Sequence, residues 1–319
     1  MKNPDNAAAD RPPPDWLEDW LAGDRRALSR ALTAIENDNR DAPALLRAMQ
    51  GRLGRAVSVG FTGPPGAGKS TLVNAFVREQ RERGRTVGVI AVDPSSPISG
   101  GAILGDRIRM TGHSGDDGVF VRSLASRGHL GGLSRSAVRV MDCMDAGGLD
   151  VIVLETVGAG QSEVEIADVA DVKVVVAAPG LGDDVQAIKA GILEIADVLV
   201  VNKGDHPLAT QTLRHLKTMA NMRPADSRPA VLKTTALTGE GVAELADAVE
   251  KLGKERRHAA PMARARRLLR RAALDLASRR LGQVDGDVVE RLARSMTTGE
   301  TSVERAAIEL LQQAMKDSP

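Results

Sequence analysis

The chain has 319 residues, of which 42% are apolar and only 2% aromatic, so its core must be built from aliphatic side chains. Its 43 basic and 42 acidic residues leave a formal net charge of +1, which gives no global electrostatic basis for binding nucleic acid or an anionic membrane. The single cysteine, Cys143, excludes a disulfide scaffold and a multi-cysteine zinc site within one chain. Because no apolar run reaches about 18 residues and the N-terminus lacks a signal core, we expect a cytoplasmic protein. With the balanced charge, we expect neither nucleic acid nor membrane as a partner.

The N-terminal region is predicted to contain a disordered tail and then a short helical segment. Residues 1–14 are rich in Asn, Asp, Ala and Pro, a composition typical of disorder. Asp15 and Glu18 have the spacing of a capping box, which predicts a helix start just after three prolines. A second helix is predicted over Asp24–Asn37, where apolar residues recur at spacings of four and three. The helical segment is thus expected to cover residues 15–54.

Strand-like and helical runs alternate along residues 55–255, the pattern of an α/β domain with a doubly wound, mostly parallel sheet and helices on both faces. After Pro261 the pattern becomes helical only, which predicts a C-terminal helical arm over residues 256–319. The predicted strands are Val57–Thr62, Thr86–Val92, Val119–Ser123, Val151–Glu155, Val172–Ala177, Val198–Asn202 and Val231–Thr235. The predicted helices of the arm are Ala263–Leu281, Asp287–Met296 and Ser302–Met315.

A nine-residue segment between the first predicted strand and a helix predicted over Thr71–Arg83 matches the P-loop pattern G-x-x-x-x-G-K-S/T. Its glycines allow backbone N–H groups to surround phosphates. Lys69 is expected to reach the outer phosphates, and Ser70 to offer its hydroxyl to Mg²⁺. The segment therefore predicts nucleoside triphosphate binding. The predicted phosphate-binding residues are Gly63, Pro64, Pro65, Gly66, Ala67, Gly68, Lys69, Ser70 and Thr71.

The tetrapeptide at residues 202–205 follows a predicted strand and matches the N-K-x-D guanine-recognition motif. The carboxylate of Asp205 can accept both the N1–H and the 2-amino group of guanine, whereas adenine presents an acceptor at N1 and would be repelled. This predicts GTP in preference to ATP. Lys203 is expected to lie along the base and ribose and Asn202 to tie the loop to the P-loop, while Gly204 merely fills the variable position.

A third base-contacting loop is predicted at the end of the last strand. Thr235, Ala236 and Leu237 lie there, and we expect the Ala236 N–H to be near guanine O6.

Two carboxylates at predicted strand ends are candidates for a Mg²⁺ site. Glu155 ends an apolar strand and is followed three residues later by Gly158, a Walker-B-like element. We expect Glu155 to act on Mg²⁺ and the Gly158 N–H to contact the γ-phosphate. Asp93 ends another strand, at the edge where open α/β sheets bind ligands. A Pro/Ser turn with a capping Asp is the alternative for Asp93.

Taken together, these motifs resemble those of the MeaB/ArgK family of P-loop GTPases. The resemblance implies a GTP-hydrolysing chaperone of an adenosylcobalamin-dependent acyl-CoA mutase, such as methylmalonyl-CoA mutase, that contacts its cobalamin-binding domain. It implies that GTP gates cofactor delivery and protects or reactivates the mutase. A homodimer held by the C-terminal arm, and slow hydrolysis accelerated by the client, are also implied. The matching segments are 63–71, 92–97, 105–110, 155–163, 179–184 and 202–205, together with 21–28.

The resemblance also assigns roles to individual residues. It places Ser70, Asp93, Asp106 and Glu155 around Mg²⁺, and Asp183–Lys189 in a mobile loop that responds to the partner. Gln161 is a candidate for orienting the attacking water, with a structural amide at a helix start as the alternative. The predicted catalytic residues are Lys69, Glu155, Gln161 and Lys189.

Three other functions remain open from the residues. A kinase or transport ATPase is one, although Asp205 argues against ATP. A nickel-insertion GTPase would need imidazole or thiolate ligands, and the five histidines are scattered beside one cysteine. A nucleic-acid module could use Lys254–Arg280, with ten basic and two acidic residues, but this stretch has no aromatic side chain and carries an apolar helical stripe. A dimerising helix is favoured there, with the stripe formed by Ala265, Leu269, Ala272 and Leu276.

Overall fold

The computed structural model describes residues 12–93, 115–125, 135–156, 169–180, 194–259 and 280–316, and the single positions Leu269, Ala273, Leu274, Leu276 and Ala277. These residues form two compact units, one that ends at Ala259 and one made of the described residues after it. Residues 1–11 of the predicted tail lie outside the described residues. The domain bounds proposed from the sequence stay predictions.

Three short helices precede the sheet: α1 (Leu17–Leu21), α2 (Arg25–Glu36) and α3 (Ala42–Ala48). The predicted capping box does not form. The Leu17 N–H donates to the Pro14 carbonyl at 2.9 Å, and this turn moves the helix start so that Trp16 occupies the cap position without a side-chain cap bond. The start of α2 is capped, because Asp24 accepts the Ala27 N–H at 2.7 Å.

Among the described residues, seven strands form one sheet in which every pairing is parallel, in the order β3-β2-β4-β1-β5-β6-β7. The predicted α/β fold class is confirmed, and each predicted strand is present within two residues of its predicted bounds. The strands are β1 (Val57–Thr62), β2 (Val87–Asp93), β3 (Val119–Ala125), β4 (Val151–Thr156), β5 (Val172–Ala177), β6 (Val198–Val201) and β7 (Ala230–Lys233).

Helices cover both faces of the sheet. They are α4 (Lys69–Glu82), α5 (Arg135–Ala146), α6 (Ala209–Asn221) and α7 (Val242–Ala259), with a 3₁₀ turn at Ala225–Ser227. Side chains of β5 alternate between the faces: Val174 and Val176 pack in a cluster with α4 and α7, whereas Val175 and Ala177 pack with α6. Burying each such aliphatic side chain contributes roughly 1.5–3 kcal/mol. The aliphatic core that the composition required is therefore divided between two layers.

The strand order brings the predicted loops to one edge. The central strand β1 lies between β4 and β5, and Phe61 is directly opposite Glu155 in the register. Because all strands are parallel, the chain leaves β1, β4, β6 and β7 at the same edge of the sheet. Three segments begin at this edge: the P-loop, the N-K-x-D tetrapeptide and the segment after Lys233.

In the described part of the second unit, α8 (Gly286–Thr297) and α9 (Val303–Lys316) lie close to their predicted bounds. Asp285 caps α8 by accepting the Asp287 N–H at 3.1 Å, and Arg291 pairs with Glu309 across the two helices at 2.9 Å. The predicted helix Ala263–Leu281 lies largely outside the described residues. No helix in the described part of the chain is both long and apolar enough to span a bilayer.

Candidate functional site

The P-loop depends on glycine at two points where another part of the protein comes close. Gly63 has φ 141°, and an added Cβ would lie only 2.1 Å from the Val176 carbonyl oxygen of β5. Gly68 has φ 82° and caps α4, and its added Cβ would lie 2.5 Å from Asn202 Nδ2. A Cβ at either position would therefore overlap a neighbour as well as strain the backbone. The two glycines let the loop fit between β5 and the loop after β6, with the N-terminus of α4 at its end.

Lys69 is the first residue of α4, and its ammonium group is bonded within the loop. Nζ donates to the carbonyls of Gly63 at 2.7 Å and Pro64 at 3.1 Å. The residue is 7% exposed, which is unusual for lysine and is tolerated because the charge has hydrogen-bond acceptors. The ammonium group is thus held by the first two residues of the loop that is predicted to bind phosphates.

Ser70 and Glu155, two of the four predicted Mg²⁺ residues, are in direct contact. The Ser70 hydroxyl donates to Glu155 Oε1 at 2.5 Å, and Glu155 is 2% exposed. A hydroxyl and a carboxylate are ligands that suit the hard cation Mg²⁺, so this pair fits the predicted group. Asp93 is the last residue of β2, but the structure does not describe its side chain. Among the described residues, no group of three or more His, Cys, Asp or Glu side chains is arranged to hold a metal.

The N-K-x-D tetrapeptide forms a tight turn that displays its charged residues. Lys203 has φ 55°, the left-handed region that non-glycine residues rarely adopt, and the His206 N–H closes the turn on the Lys203 carbonyl at 2.9 Å. Both Lys203 and Asp205 are exposed. The Gly204 N–H donates to the Thr234 carbonyl at 2.8 Å and so fastens the turn to the end of β7.

Asn202 connects two parts of the candidate site. We call the P-loop with Glu155 the phosphate side, and the N-K-x-D turn with the loop after β7 the base side. It is buried, and its Nδ2 donates to the carbonyls of Ala67 at 3.0 Å and Gly68 at 3.3 Å. Its Oδ1 accepts the Thr234 hydroxyl and the Ala236 N–H, both at 3.2 Å. Both amide donors and both acceptor lone pairs are therefore used. This is the tie to the P-loop that we expected of Asn202.

Two residues make contacts that the sequence did not predict. The Ala236 N–H donates to Asn202 Oδ1 at 3.2 Å, and its expected position near guanine O6 stays a prediction. Gly204 does more than fill a variable position, because an added Cβ would lie 3.0 Å from both Lys233 Cγ and the Thr234 carbonyl oxygen. Contacts at 3.0 Å are tighter than ordinary packing, so a larger residue would push the two loops apart.

The other two predicted residues of the third loop are arranged differently from each other. Thr235 is buried, and its N–H donates to the Glu240 carbonyl at 2.9 Å, which holds the loop in shape. Leu237 is 84% exposed beside it.

Sequence analysis assigned no individual role to two side chains at this edge. Thr234 is fully buried, and its hydroxyl bonds to Asn202. The signal for it was a polar β-branched residue at the end of an apolar strand. His206 closes the turn after Asp205, and only its position next to the motif could have suggested a role.

Several predicted site residues lie outside the described residues, and their roles stay predictions. They are Asp106, Gly158, Gln161 and Lys189, together with the Asp183–Lys189 loop.

Comparison with known proteins adds family information to this geometry. The family described as Methylmalonyl Co-A mutase-associated GTPase MeaB matches residues 28–290. A relative from Pyrococcus abyssi, named as a GTPase, is 49% identical over 239 residues, which cover 73% of this chain and 74% of the relative. GTPase ArgK of Escherichia coli is 40% identical over 237 residues, 71% of this chain and 72% of that protein. The crystal structure of a LAO/AO transport system kinase superposes with a TM-score of 0.67 at 25% identity, covering 95% of this chain and 99% of that one.

Proposed function

This chain belongs to the MeaB family of GTPases, and on that premise we propose that it uses GTP with Mg²⁺ as a chaperone of an adenosylcobalamin-dependent acyl-CoA mutase. The observation that carries the guanine-nucleotide site is the bonding of Asn202. One buried amide is bonded at the same time to the P-loop and to the loop after β7, and Asp205 is exposed three residues further on. The arrangement supports one ligand whose phosphates and base lie on either side of Asn202.

Base recognition is assigned to Asp205 and Lys203. The carboxylate accepts guanine N1–H and the 2-amino group, and the methylene stem of Lys203 covers one face of the ring system. Ala236 acts through Asn202, and Thr235 keeps the third loop in shape. The exposed Leu237 lies next to them, where a bound base would remove its side chain from water.

Phosphate binding is assigned to the P-loop backbone and Lys69. The ammonium group exchanges its two carbonyl acceptors for oxygens of the outer phosphates, because a charged acceptor forms the stronger hydrogen bond. Ser70 and Glu155 hold Mg²⁺, and Asp93 and Asp106 are proposed to complete its surroundings. When bound, the ion offsets negative charge on the β- and γ-phosphates. Because Glu155 accepts the Ser70 hydroxyl hydrogen, the lone pairs of that oxygen would remain available to the ion.

Hydrolysis transfers the γ-phosphoryl group of GTP to water and releases GDP and phosphate. Gln161 is the proposed residue for orienting the water, and the Gly158 N–H the proposed γ-phosphate contact. We assign Lys189 to the partner-dependent step. Positioning these groups by a partner can raise the rate by about 10³–10⁵-fold in GTPases of this type.

The partner assignment is supported by the printed name of the matching family, which links it to methylmalonyl-CoA mutase. The proposed homodimer is supported by α8 and α9 of the second unit, which leave apolar side chains exposed to solvent. Exposed apolar patches of this kind mark interaction sites. These side chains are Val289, Met296, Val303, Ile308, Leu311 and Met315.

The guanine assignment is tested by Asp205→Asn. Losing the charge-assisted pair should lower GTP affinity by roughly 30- to 1000-fold, or about 2–4 kcal/mol, and should favour xanthosine triphosphate, which has a carbonyl in place of the 2-amino group. Titration calorimetry measures both affinities, with the exposed Asp226→Asn as the matched control. Equal GTP affinity in the variant and the parent would remove Asp205 from base recognition.

The partner assignment is tested by single-turnover GTP hydrolysis with and without an adenosylcobalamin-dependent acyl-CoA mutase. The mutase should accelerate the reaction, and Lys189→Ala should reduce the acceleration without changing the rate of the protein alone. No acceleration by the mutase would refute the chaperone proposal, whereas GTP binding would be unaffected by that result.

The dimer is tested by light scattering at micromolar concentration. Ile308→Glu should shift the chain from dimer to monomer, because a charge in an apolar interface costs free energy when the interface forms. Glu304→Gln, on the same helix, is the control. A parent chain that is already monomeric would overturn the proposal.

A further inference from the structure

His206 follows Asp205 in the turn between β6 and α6, and its ring makes two different contacts. On one side, Nδ1 accepts the Leu208 N–H at 3.2 Å. On the other side, the ring lies against Gly180, just after β5, where an added Cβ would be 3.1 Å from Cε1 and 3.4 Å from Nε2. Gly180 has φ 85°, a conformation that glycine adopts without strain. The imidazole is therefore fixed from both sides although the residue is exposed.

The backbone of His206 is also bonded within this turn. Its N–H donates to the Lys203 carbonyl, and its carbonyl accepts the Ala209 N–H, both at 2.9 Å. Asp205 lies within the turn that the first of these bonds closes, and it is exposed. The direction of its side chain therefore depends on how firmly the neighbours hold the turn. Lys203 stays in the left-handed region only while the surrounding bonds over-determine it.

We propose that His206 is a positioning residue for guanine recognition, whose ring holds the turn so that the Asp205 carboxylate can accept both base donors at once. The proposal rests on the base-recognition role given to Asp205 above. Two parallel hydrogen bonds to one carboxylate require a defined orientation, whereas a single bond tolerates a loose one. A loosened turn should therefore cost more for a base with both donors than for a base with one.

The ratio of GTP affinity to inosine triphosphate affinity measures that difference, because hypoxanthine has the N1–H and lacks the 2-amino group. His206→Ala removes both ring contacts and should lower the ratio by about 3- to 10-fold, the effect of one neutral hydrogen bond. His206→Asn keeps an acceptor at the position of Nδ1 and loses the atoms that touch Gly180. Because an Asn side chain bonds readily to the N–H two residues on, this variant should keep the ratio within about twofold of the parent.

A structural role alone would give a different result. It would weaken GTP and inosine triphosphate equally in His206→Ala and leave the ratio unchanged, which would overturn the proposal. A ratio in His206→Asn as low as in His206→Ala would also overturn it, because the Nδ1 bond would then not be the cause. His215→Ala replaces an exposed histidine of α6 and should leave the ratio at the parent value.

The contact with Gly180 is tested by a double-mutant cycle. Gly180→Ala should lower the ratio in the parent, where the new Cβ meets the ring, and should lower it less in His206→Asn, where that half of the ring is absent. Backbone strain at residue 180 is present in both backgrounds and cancels in the comparison. An equal effect in both backgrounds would contradict the ring contact.

Asp205→Asn in the same assay distinguishes a failure of the base-recognition proposal from a failure of the positioning role of His206. If it leaves GTP affinity unchanged, the base-recognition proposal fails and the positioning role fails with it. If it lowers GTP affinity while His206→Ala leaves the ratio unchanged, only the positioning role fails.

Discussion

The phosphate side and the base side of the site satisfy their polar groups in different ways. On the phosphate side, Lys69 donates to two carbonyls of its own loop, and Ser70 donates to the buried Glu155. On the base side, the carboxylate of Asp205 and the ammonium of Lys203 are exposed. Ligand binding at the phosphate side therefore exchanges one set of protein hydrogen bonds for another, whereas at the base side it mainly replaces water.

This difference predicts how variants at the two sides should behave. A change on the phosphate side removes bonds that also exist in the ligand-free protein, so it should alter stability together with nucleotide binding. A change on the base side should act on the complex and leave the ligand-free protein as stable as before. Asn202 belongs to both sides and should show both effects.

Lys69→Ala should have the largest effect. No other cation of the P-loop motif is placed to offset charge on the outer phosphates, so turnover should fall by at least about 10³-fold. Single-turnover hydrolysis measures this, with the exposed Lys217→Ala on α6 as the control. A rate within about threefold of the parent would show that Lys69 does not contact the transferred group.

Asn202→Asp should come next, and it tests the connection between the two sides. The substitution keeps an acceptor for Thr234 and Ala236 but places a carboxylate oxygen against the Ala67 and Gly68 carbonyls. We expect a loss of roughly 2–4 kcal/mol in the free energy of unfolding, together with weaker GTP binding. Denaturant unfolding and calorimetry measure the two quantities. Asn221→Asp, at the exposed end of α6, is the control, and a variant with parental stability would contradict the role of Asn202 as a link.

Gly204→Ala tests the base side with a smaller change. The new Cβ would lie 3.0 Å from the Thr234 carbonyl oxygen, so the turn must move by a few tenths of an ångström. We expect GTP affinity to fall by about 3- to 10-fold, because the displaced turn carries Asp205. The melting temperature should stay within about 2 °C of the parent value, because the turn is exposed and can yield to the new Cβ. Gly115→Ala is the control, because its added Cβ meets no described atom within 4 Å. A fall in stability without a fall in affinity would reverse the proposed contrast.

Glu250→Gln, outside the proposed nucleotide site, should have the smallest effect. Hydrogen bonds from Lys254 at 2.8 Å and Arg85 at 2.6 Å lower the pKa of Glu250 below its ordinary value. A lowered folded pKa means that the pair stabilises the protein above the ordinary pKa of Glu and that this contribution is lost as pH falls through the folded pKa. The variant should be less stable by a few tenths of a kcal/mol at neutral pH, and the difference should vanish in acid.

Urea unfolding at pH 7 and near pH 3 would measure the effect of Glu250→Gln. GTP affinity should stay at the parent value in this variant. A difference in stability that grows on acidification would show that the sign of the linkage is wrong.

The sequence predicted what depends on local pattern. Apolar runs bounded by turn residues identified all seven strands, and the P-loop and N-K-x-D motifs are contiguous segments that can be identified without knowing their neighbours. Strand order was not predictable, because it depends on pairings between distant segments such as β1 with β4 and β5. The contact between Ser70 and Glu155 follows from that order.

Side-chain details of the site were the least predictable part. The sequence does not indicate that the Ala236 N–H donates to Asn202 Oδ1. The second lone pair of an amide oxygen can accept a hydrogen bond from any of several neighbours, and only the fold determines which one. The close approach at Gly204 is visible only after β7 and β6 are paired. The start of α1 differs from the predicted one because the Leu17 N–H donates to the Pro14 carbonyl and the predicted capping box does not form.

The position of β1 in the sheet also has a consequence for how the chain acquires its fold. Both neighbours of β1 come late in the sequence, β4 at Val151–Thr156 and β5 at Val172–Ala177. A ribosome-bound chain that has reached residue 150 therefore has the P-loop segment but neither strand that flanks it. Pairings across such long separations form slowly, and an unpaired apolar strand is prone to aggregate meanwhile. Because the proposed base-recognition residue Asp205 follows β6, a guanine nucleotide could assist folding only after residue 205 has also emerged.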